Sequence, residues 1–404
     1  MNSKGKRMGL LLCLTVIMTL AATAGLFTLY LAWSGQEVRP KSLSPRQGDG
    51  PLQEETEEDR AYKEKLGAIT DSVLHTYYFG FDRDRYEEKV LRALVASLGD
   101  PYSSYLTPAE GQDLMDGMNG TFTGVGLHVE ENGDEFIISA ILPGSPAEAA
   151  GLAQGDIIVA VEEKAPSDLR ALIESIRGPE GSVMHIRVQR GDQEKNVTVV
   201  RGKIPTSSVD NRTLDDDISY IRIRSFGAST ASDVEEALSA AVKRKAPGVI
   251  LDLRANPGGL FEQGLKTADL FLGNSRISYS LDKQEKRTDY PSDTKKYDIK
   301  TVVLVDHGTA STAEMVAGAL QANQRALLIG EPTYGKGVMQ DFLPLGDGSF
   351  LNLTVGEFFL PNGGKVDGIG IRPDLAIEPG PDGSGQGGGQ DPALARARQE
   401  IMGN

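Results

Sequence analysis

The sequence predicts an α/β core, an open sheet with covering helices, into which a β-rich domain is inserted and which a transmembrane helix precedes. Three observations carry this. Continuous apolar strands alternate with helices from residue 204 to 378, short β-rich runs separated by glycine turns fill residues 119–203, and an uncharged run extends from Met8 to Trp33.

The N-terminal run follows Lys4, Lys6 and Arg7 and is 26 residues long, more than the roughly 20 that cross a bilayer as a helix. Ala22-Thr23-Ala24 imitates a signal-peptide cleavage site, but Leu26–Trp33 carries the apolar run past it. The length predicts an uncleaved signal-anchor over residues 1–34, with the basic flank in the cytoplasm and the rest of the chain on the extracytoplasmic side of the cell membrane. Residues 35–60, with Pro40, Pro45, Pro51 and the acidic run Glu54–Asp59, read as a solvated linker. Helical spacing then dominates residues 61–118, through Leu66, Ile69, Val73 and Leu74 and again Val90, Leu91, Leu94 and Leu98, and Thr107-Pro108-Ala109-Glu110 marks a capped helix start.

In the inserted module, strands are predicted at Gly126–Val129, Phe136–Ile141, Ile157–Val161, Met184–Gln189 and Asn196–Val200, with helices at Pro146–Ala150 and Ser167–Arg177. In the core, strands fall at Ile218–Ile223, Val249–Leu253, Thr301–Val305 and Ala326–Ile329, and helices at Ala231–Lys245, Gly264–Leu272 and Thr312–Gln324. The glycine-rich stretch 379–390 has no core-forming residue, and residues 379–404 are expected to be a flexible tail.

Composition excludes several functions. A net charge of −15 argues against binding nucleic acid, which needs clustered Lys and Arg. Cys13 is the single cysteine and lies in the apolar run, so no thiol nucleophile or Cys-based metal site remains for the rest of the chain. The four histidines, at positions 75, 128, 185 and 307, form no close pair of the kind a zinc hydrolase uses.

Five segments hold residues suited to chemistry. Gly308–Glu314 joins a buried strand to a helix with small residues, so Ser311 can stand at a helix start whose N–H groups suit a developing oxyanion; Ser311 or Thr309 could equally cap that helix. Gly330–Lys336 matches most of a phosphate-binding loop, but Gly337 stands where that motif needs Ser or Thr, and strand rather than helix follows. A lysine in a glycine turn is left, able to act as a general base if burial depresses its pKa, or else a surface charge. Asn256-Pro257-Gly258-Gly259 ends a strand, where ligands of open sheets bind, and its glycines can aim an N–H into a cleft. His307 lies close to Ser311, without an obvious Asp to orient it. Thr123-Gly124-Val125-Gly126-Leu127 offers successive N–H groups to a peptide carboxylate, with the next strand open to a peptide and Ser167–Arg177 as the other wall.

Taken in order, these motifs resemble the carboxyl-terminal processing (tail-specific) peptidases, extracytoplasmic PDZ-containing Ser–Lys proteases. The resemblance rests on Asp100-Pro-Tyr-Ser-Ser-Tyr105, Gly124–Leu127, Gly144-Ser-Pro-Ala147, Ile176-Arg-Gly178, Leu251-Asp-Leu-Arg254, Asn256–Gly259, Gly308–Glu314, Gly335-Lys-Gly337 and Gly368–Asp374. It implies a crotonase-like protease core over 204–378 with a PDZ domain at 119–203. It implies Ser311 as nucleophile, Lys336 as general base 25 residues later, and Gln340 orienting the lysine amine. Oxyanion donors are implied at Thr312 and at Gly258 or Gly259, and the PDZ groove at Gly124, Val125, Gly126, Leu127 and Arg177. Thr312 replaces a smaller residue of the family pattern and is expected to narrow the oxyanion pocket. The implied partners are proteins or peptides with accessible C-termini, the membrane through residues 8–33, and a second copy of the chain as one permitted assembly. No metal or nucleotide cofactor is needed. Two other readings stay open: a catalytically silent PDZ tether, and a His-type PDZ protease, for which the Gly-Asn-Ser-Gly-Gly loop is absent.

Overall fold

A computed structural model describes residues 56–133, 135–205, 207–378 and 391–403. The expected membrane segment Met8–Trp33 lies outside them, as does most of the linker, and among the described residues no helix is long and apolar enough to cross a membrane. The end of the linker is corrected: helix α1 (Glu57–Thr76) already starts there, because Thr56 caps it and Asp59 closes the capping box, accepting the Thr56 N–H at 3.2 Å. Glu57, Glu58 and Asp59 thus occupy a first helical turn, where the helix dipole favours negative charge. Helix α2 (Arg83–Ala96), strand β1 (Ser104–Leu106) and helix α3 (Pro108–Met118) follow, the last capped by Thr107 and Glu110 as its sequence predicts.

The inserted module leaves and returns through paired strands, β2 (Thr121–Gly124) and β8 (Gly202–Pro205), which run antiparallel. Between them lies an antiparallel sheet in chain order, β3 (Leu127–Asn132), β4 (Glu135–Ile141), β5 (Ile157–Val161), β6 (Val183–Arg190) and β7 (Gln193–Val200), with helices α4 (Pro146–Ala149) and α5 (Leu169–Ile176). Its own core centres on Ile138, Leu172, Met184 and Val188, all fully buried. Strand β3 is the sheet's edge, so one side of its backbone is left for another chain.

The rest of the chain, outside the inserted module, is built on a six-stranded sheet. Its order is β18 (Leu375–Ala376), β15 (Leu327–Gly330), β14 (Thr301–Val305), β11 (Val249–Asp252), β10 (Ser219–Ile223) and β9 (Val209–Thr213). Neighbours pair in parallel from β18 to β10, and β9 is antiparallel. Side chains alternate between faces: Leu251, Val303 and Val305 pack with helices α6 (Thr230–Lys243), α7 (Phe261–Asp269) and α8 (Thr312–Ala322). Ile250, Val302, Leu304 and Ile329 point the other way and are covered by Ala393, Ala397 and Ile401.

That cover corrects the expected flexible tail. Residues 379–390 lie outside the described residues, but Pro392–Met402 forms helix α9 against the sheet. Asp391 caps it, its carboxylate accepting the Leu394 N–H at 3.0 Å, and also pairs with Arg254 at 2.9 Å. Lys300 Nζ donates to the Ile401 carbonyl at 3.1 Å, and Gly403 ends the helix in the left-handed conformation, φ 75°. A second sheet, for which the sequence offered no signal over residues 276–291, joins β1, β17 (Phe350–Phe359), β12 (Arg276–Asp282) and β13 (Arg287–Pro291), with β16 (Val338–Pro344) on β17.

Candidate active site

Strands β11 and β14 are parallel neighbours, so the turns that follow them emerge side by side at one edge of the sheet. Asn256 ties them together. Its side chain donates to the Ile223 carbonyl at 2.8 Å, and its carbonyl accepts the Ala310 N–H at 2.9 Å. Thr309, fully buried, donates from its hydroxyl to the Leu253 carbonyl at 2.9 Å, and Thr312 donates to the Gly259 carbonyl at 2.9 Å. The two threonines are therefore straps between the turns. Gly258 lies so close that a Cβ there would stand 2.9 Å from Ser311 Cβ, at a φ of 102° that favours glycine.

Ser311 sits half-buried at the start of α8 with φ 55° and ψ −119°, a conformation L residues rarely adopt. Such strain persists where its surroundings over-determine it. Here the cause is Glu314, whose carboxylate is fully buried. One of its oxygens accepts the N–H of Ser311 at 2.8 Å and the N–H of Lys336 at 2.8 Å; the other accepts the Gly335 N–H at 2.7 Å and the Thr333 hydroxyl. The capping-box glutamate thus does more than cap: it joins the serine turn to the lysine turn. Tyr334 adds a backbone bond from its N–H to the Thr309 carbonyl at 3.0 Å. The N–H groups of the phosphate-loop look-alike point at this internal carboxylate, and the chain runs on into β16 rather than a helix.

Lys336 is half-buried. Its Nζ lies 4.6 Å from the ring centroid of Tyr102. Burial pushes its amine below the ordinary lysine range, against the charge of Asp100, which favours the ammonium. Gln340, on β16, donates from its side-chain nitrogen to Thr354 Oγ1 at 3.2 Å, and the Thr354 N–H donates to Ser103 Oγ at 3.0 Å; among the described residues no hydrogen bond joins Gln340 to the Lys336 amine. Gln340 therefore meets the site through β17 and the Asp100–Ser103 loop.

Of the expected oxyanion donors, Gly258 is corrected. Its N–H is taken by its own turn, donating to Asn256 Oδ1 at 2.9 Å, so its part is the close approach to Ser311. Among the described residues no hydrogen-bond acceptor engages the N–H of Gly259 or Thr312. His307 is exposed, with Nε2 3.7 Å from the Glu331 carboxylate.

In the inserted domain, Gly124, Val125, Gly126, Leu127 and Arg177 all line one groove of about 290 Å³, between β3 and α5, with Ile173 and Ile176 on its apolar wall. Arg177 also borders a second cleft beside α3, of about 690 Å³. The carbonyls at the end of α5 are satisfied by Arg201, a residue the sequence reading passed over: its guanidinium donates to Ile176 O at 2.7 Å and Ser175 O at 3.1 Å. Arg177 itself is exposed.

Two family models match the chain: peptidase family S41 over residues 217–377, and a PDZ domain over residues 137–190. The carboxy-terminal processing protease CtpA of Bacillus subtilis is 31% identical over 368 residues, which are 90% of this chain and 76% of that protein. A CtpA-like serine protease of Staphylococcus haemolyticus is 30% identical over 328 residues, 80% of this chain; the match spans 66% of that protein, just under two thirds of its length. Among solved structures, the photosystem II D1 C-terminal processing protease is 27% identical, covers 79% of this chain and 88% of its own, and superposes with a TM-score of 0.48.

Proposed function

The chain belongs to peptidase family S41, alongside its carboxy-terminal processing proteases, and from that premise we propose that it is a membrane-anchored serine endopeptidase using a Ser311–Lys336 dyad on proteins whose C-termini its PDZ groove selects. The observation that carries the dyad is the single Glu314 oxygen bonded to the N–H groups of both Ser311 and Lys336, each at 2.8 Å. That shared acceptor joins the backbones of the two turns that carry Ser311 and Lys336, which supports reading them as nucleophile and base, since a proton transfer needs both held close.

The reaction follows from the groups present. Neutral Lys336 takes the Ser311 hydroxyl proton as Oγ attacks the scissile carbonyl, forming the tetrahedral oxyanion beside the N–H groups of Thr312 and Gly259. Its collapse breaks the C–N bond, the lysine ammonium protonates the leaving amine, and an ester on Ser311 remains. The again neutral Lys336 deprotonates a water, which attacks the ester carbonyl; collapse breaks the acyl–Oγ bond, and the lysine ammonium returns the proton to Ser311 Oγ as the carboxylic acid product leaves. Substrate selection is assigned to the groove at β3 and α5: the Gly124–Leu127 loop takes the carboxylate, the edge of β3 pairs with the peptide, and Ile173 and Ile176 favour an apolar last residue.

Ser311→Ala and Lys336→Ala are each expected to abolish peptide hydrolysis while leaving the melting curve intact, and His307→Ala to retain most of it. Near-wild-type turnover by either folded dyad variant would refute the dyad. The anchor is tested separately, by carbonate extraction of membranes from cells making the full chain: release of a soluble protein beginning after Ala24 would mean that the segment is a cleaved signal.

A further inference from the structure

The proposed base is covered by a residue of the Asp100–Tyr105 motif, which precedes the S41 match. Tyr102 belongs to the loop between α2 and β1, whereas the family match begins at residue 217. Strand β1 pairs with β17, setting Ser104 opposite Asn352, and so brings this loop over the lysine turn. The loop is sewn in place on both sides. Asp100 accepts the Tyr102 N–H at 3.0 Å and the Ser103 hydroxyl at 2.5 Å, and Asn352 donates to the Tyr102 carbonyl at 2.9 Å. Burial, and then the neighbouring Tyr334 on the lysine's own turn, raise the Tyr102 phenol above its ordinary range. A tyrosine held at its own N–H and its own carbonyl is fixed in the backbone, and the face of its ring lies 4.6 Å from Lys336 Nζ.

We propose that Tyr102 is a positioning residue for the dyad: its ring roofs the Lys336 amine, holds it in the cleft and keeps water from it. This rests on the assignment of Lys336 as the base. A roof of this kind acts on the proton in two opposite ways. The π face favours the ammonium, as does Asp100, while exclusion of water favours the neutral amine. The other ionisable groups near the cleft are Glu314 from α8, Tyr334 beside the lysine and Asp367, which accepts the Gly337 N–H at 3.2 Å. Burial outweighs the Asp100 charge in setting the lysine below its ordinary range; the ring over Nζ takes part in that burial, so its loss is expected to move the lysine back toward the ordinary range. The segment that carries it continues directly from α2, which makes a helical region without catalytic groups of its own necessary to the chemistry.

The test uses the full chain and two readouts. Competitive amine labelling across a pH series, read by mass spectrometry, reports the ionisation of Lys336; the pH profile of kcat/KM on a peptide reports the base in catalysis. Tyr102→Ala is expected to move both upward by about one pH unit, with about a tenfold loss of kcat/KM near neutrality. Tyr102→Phe, which keeps the ring, is expected to restore the position of both curves. If the alanine variant does not fold, Tyr102→Gln, bulky but open to water, replaces it. Unchanged Lys336 labelling in a folded ring-less variant overturns the proposal, and so does a shift to lower pH, which would make the ring a cation partner only. A labelling shift that the kcat/KM profile does not follow upholds the roof and refutes Lys336 as the base, so the two failures are distinct.

Discussion

At the scale of single residues, the site works by placing charges where they are useful and removing them where they are not. The buried carboxylate of Glu314 accepts from four groups on two segments, the serine turn and the lysine turn. Lys336 is the converse case: no carboxylate bonds its Nζ among the described residues, and burial depresses its pKa despite Asp100. The sign of the pH dependence follows. The base acts when neutral, so kcat/KM should rise with pH through the lysine's ionisation, at a pH below the ordinary value of about 10.4. Asp100→Asn removes the charge that favours the ammonium and should displace that limb to still lower pH. Initial rates at low substrate from about pH 6 to about pH 10 would check both statements. A flat profile counts against a lysine base, and an alkaline displacement in the variant counts against the role given to Asp100.

At the scale of elements, α9 is the piece whose importance exceeds its sequence signal. A parallel sheet buried on both faces needs a cover on each, and α6, α7 and α8 all lie on one of them. Ala393, Ala397 and Ile401 recur at helical spacing and close the other. Asp391 locks the helix start to Arg254, whose charge burial disfavours but which the Asp252 and Asp391 carboxylates hold well above the ordinary range. Arg254 stands just before the Asn256 turn, so the helix also braces the turn that ends β11. Ile401→Ala deletes a 5%-exposed side chain and should cost about 2–4 kcal/mol in chemical denaturation. An unaltered unfolding midpoint would show that α9 does not cover the sheet in solution.

At the scale of the whole molecule, the PDZ domain is connected through the β2–β8 stem, and Arg177 lies where its peptide groove meets the cleft beside α3. Because Arg201 already satisfies the end of α5, Arg177 is available to a ligand. We propose that a bound C-terminus competes for it and shifts the chain toward an open, active arrangement. Charge-assisted hydrogen bonds of about 1.5–3 kcal/mol each could move such an equilibrium roughly ten- to a hundredfold. A non-cleavable tail peptide supplied in trans should then raise kcat on a short untagged substrate about tenfold or more. Amidating its carboxylate, or Arg177→Ala, should remove the activation, and indifference of the intact enzyme to the tail sinks the idea.

The sequence by itself determined the local elements: strands such as Thr301–Val305 are uniformly apolar, the helix starts carry Thr or Ser with an acid three residues on, and glycines mark the turns. It also made Ser311, Lys336 and the Gly124–Leu127 loop stand out, because small residues around a polar group are visible in order along the chain. What only the tertiary structure decided is every relation across long separations. Glu314 as the link between two turns, Gly258 with its N–H already taken, Tyr102 over the lysine, Arg201 at the end of α5 and α9 on the sheet all depend on contacts between segments far apart in sequence. Periodicity reports which face of an element avoids water; it does not report what covers that face, since any apolar surface of suitable shape satisfies the same pattern.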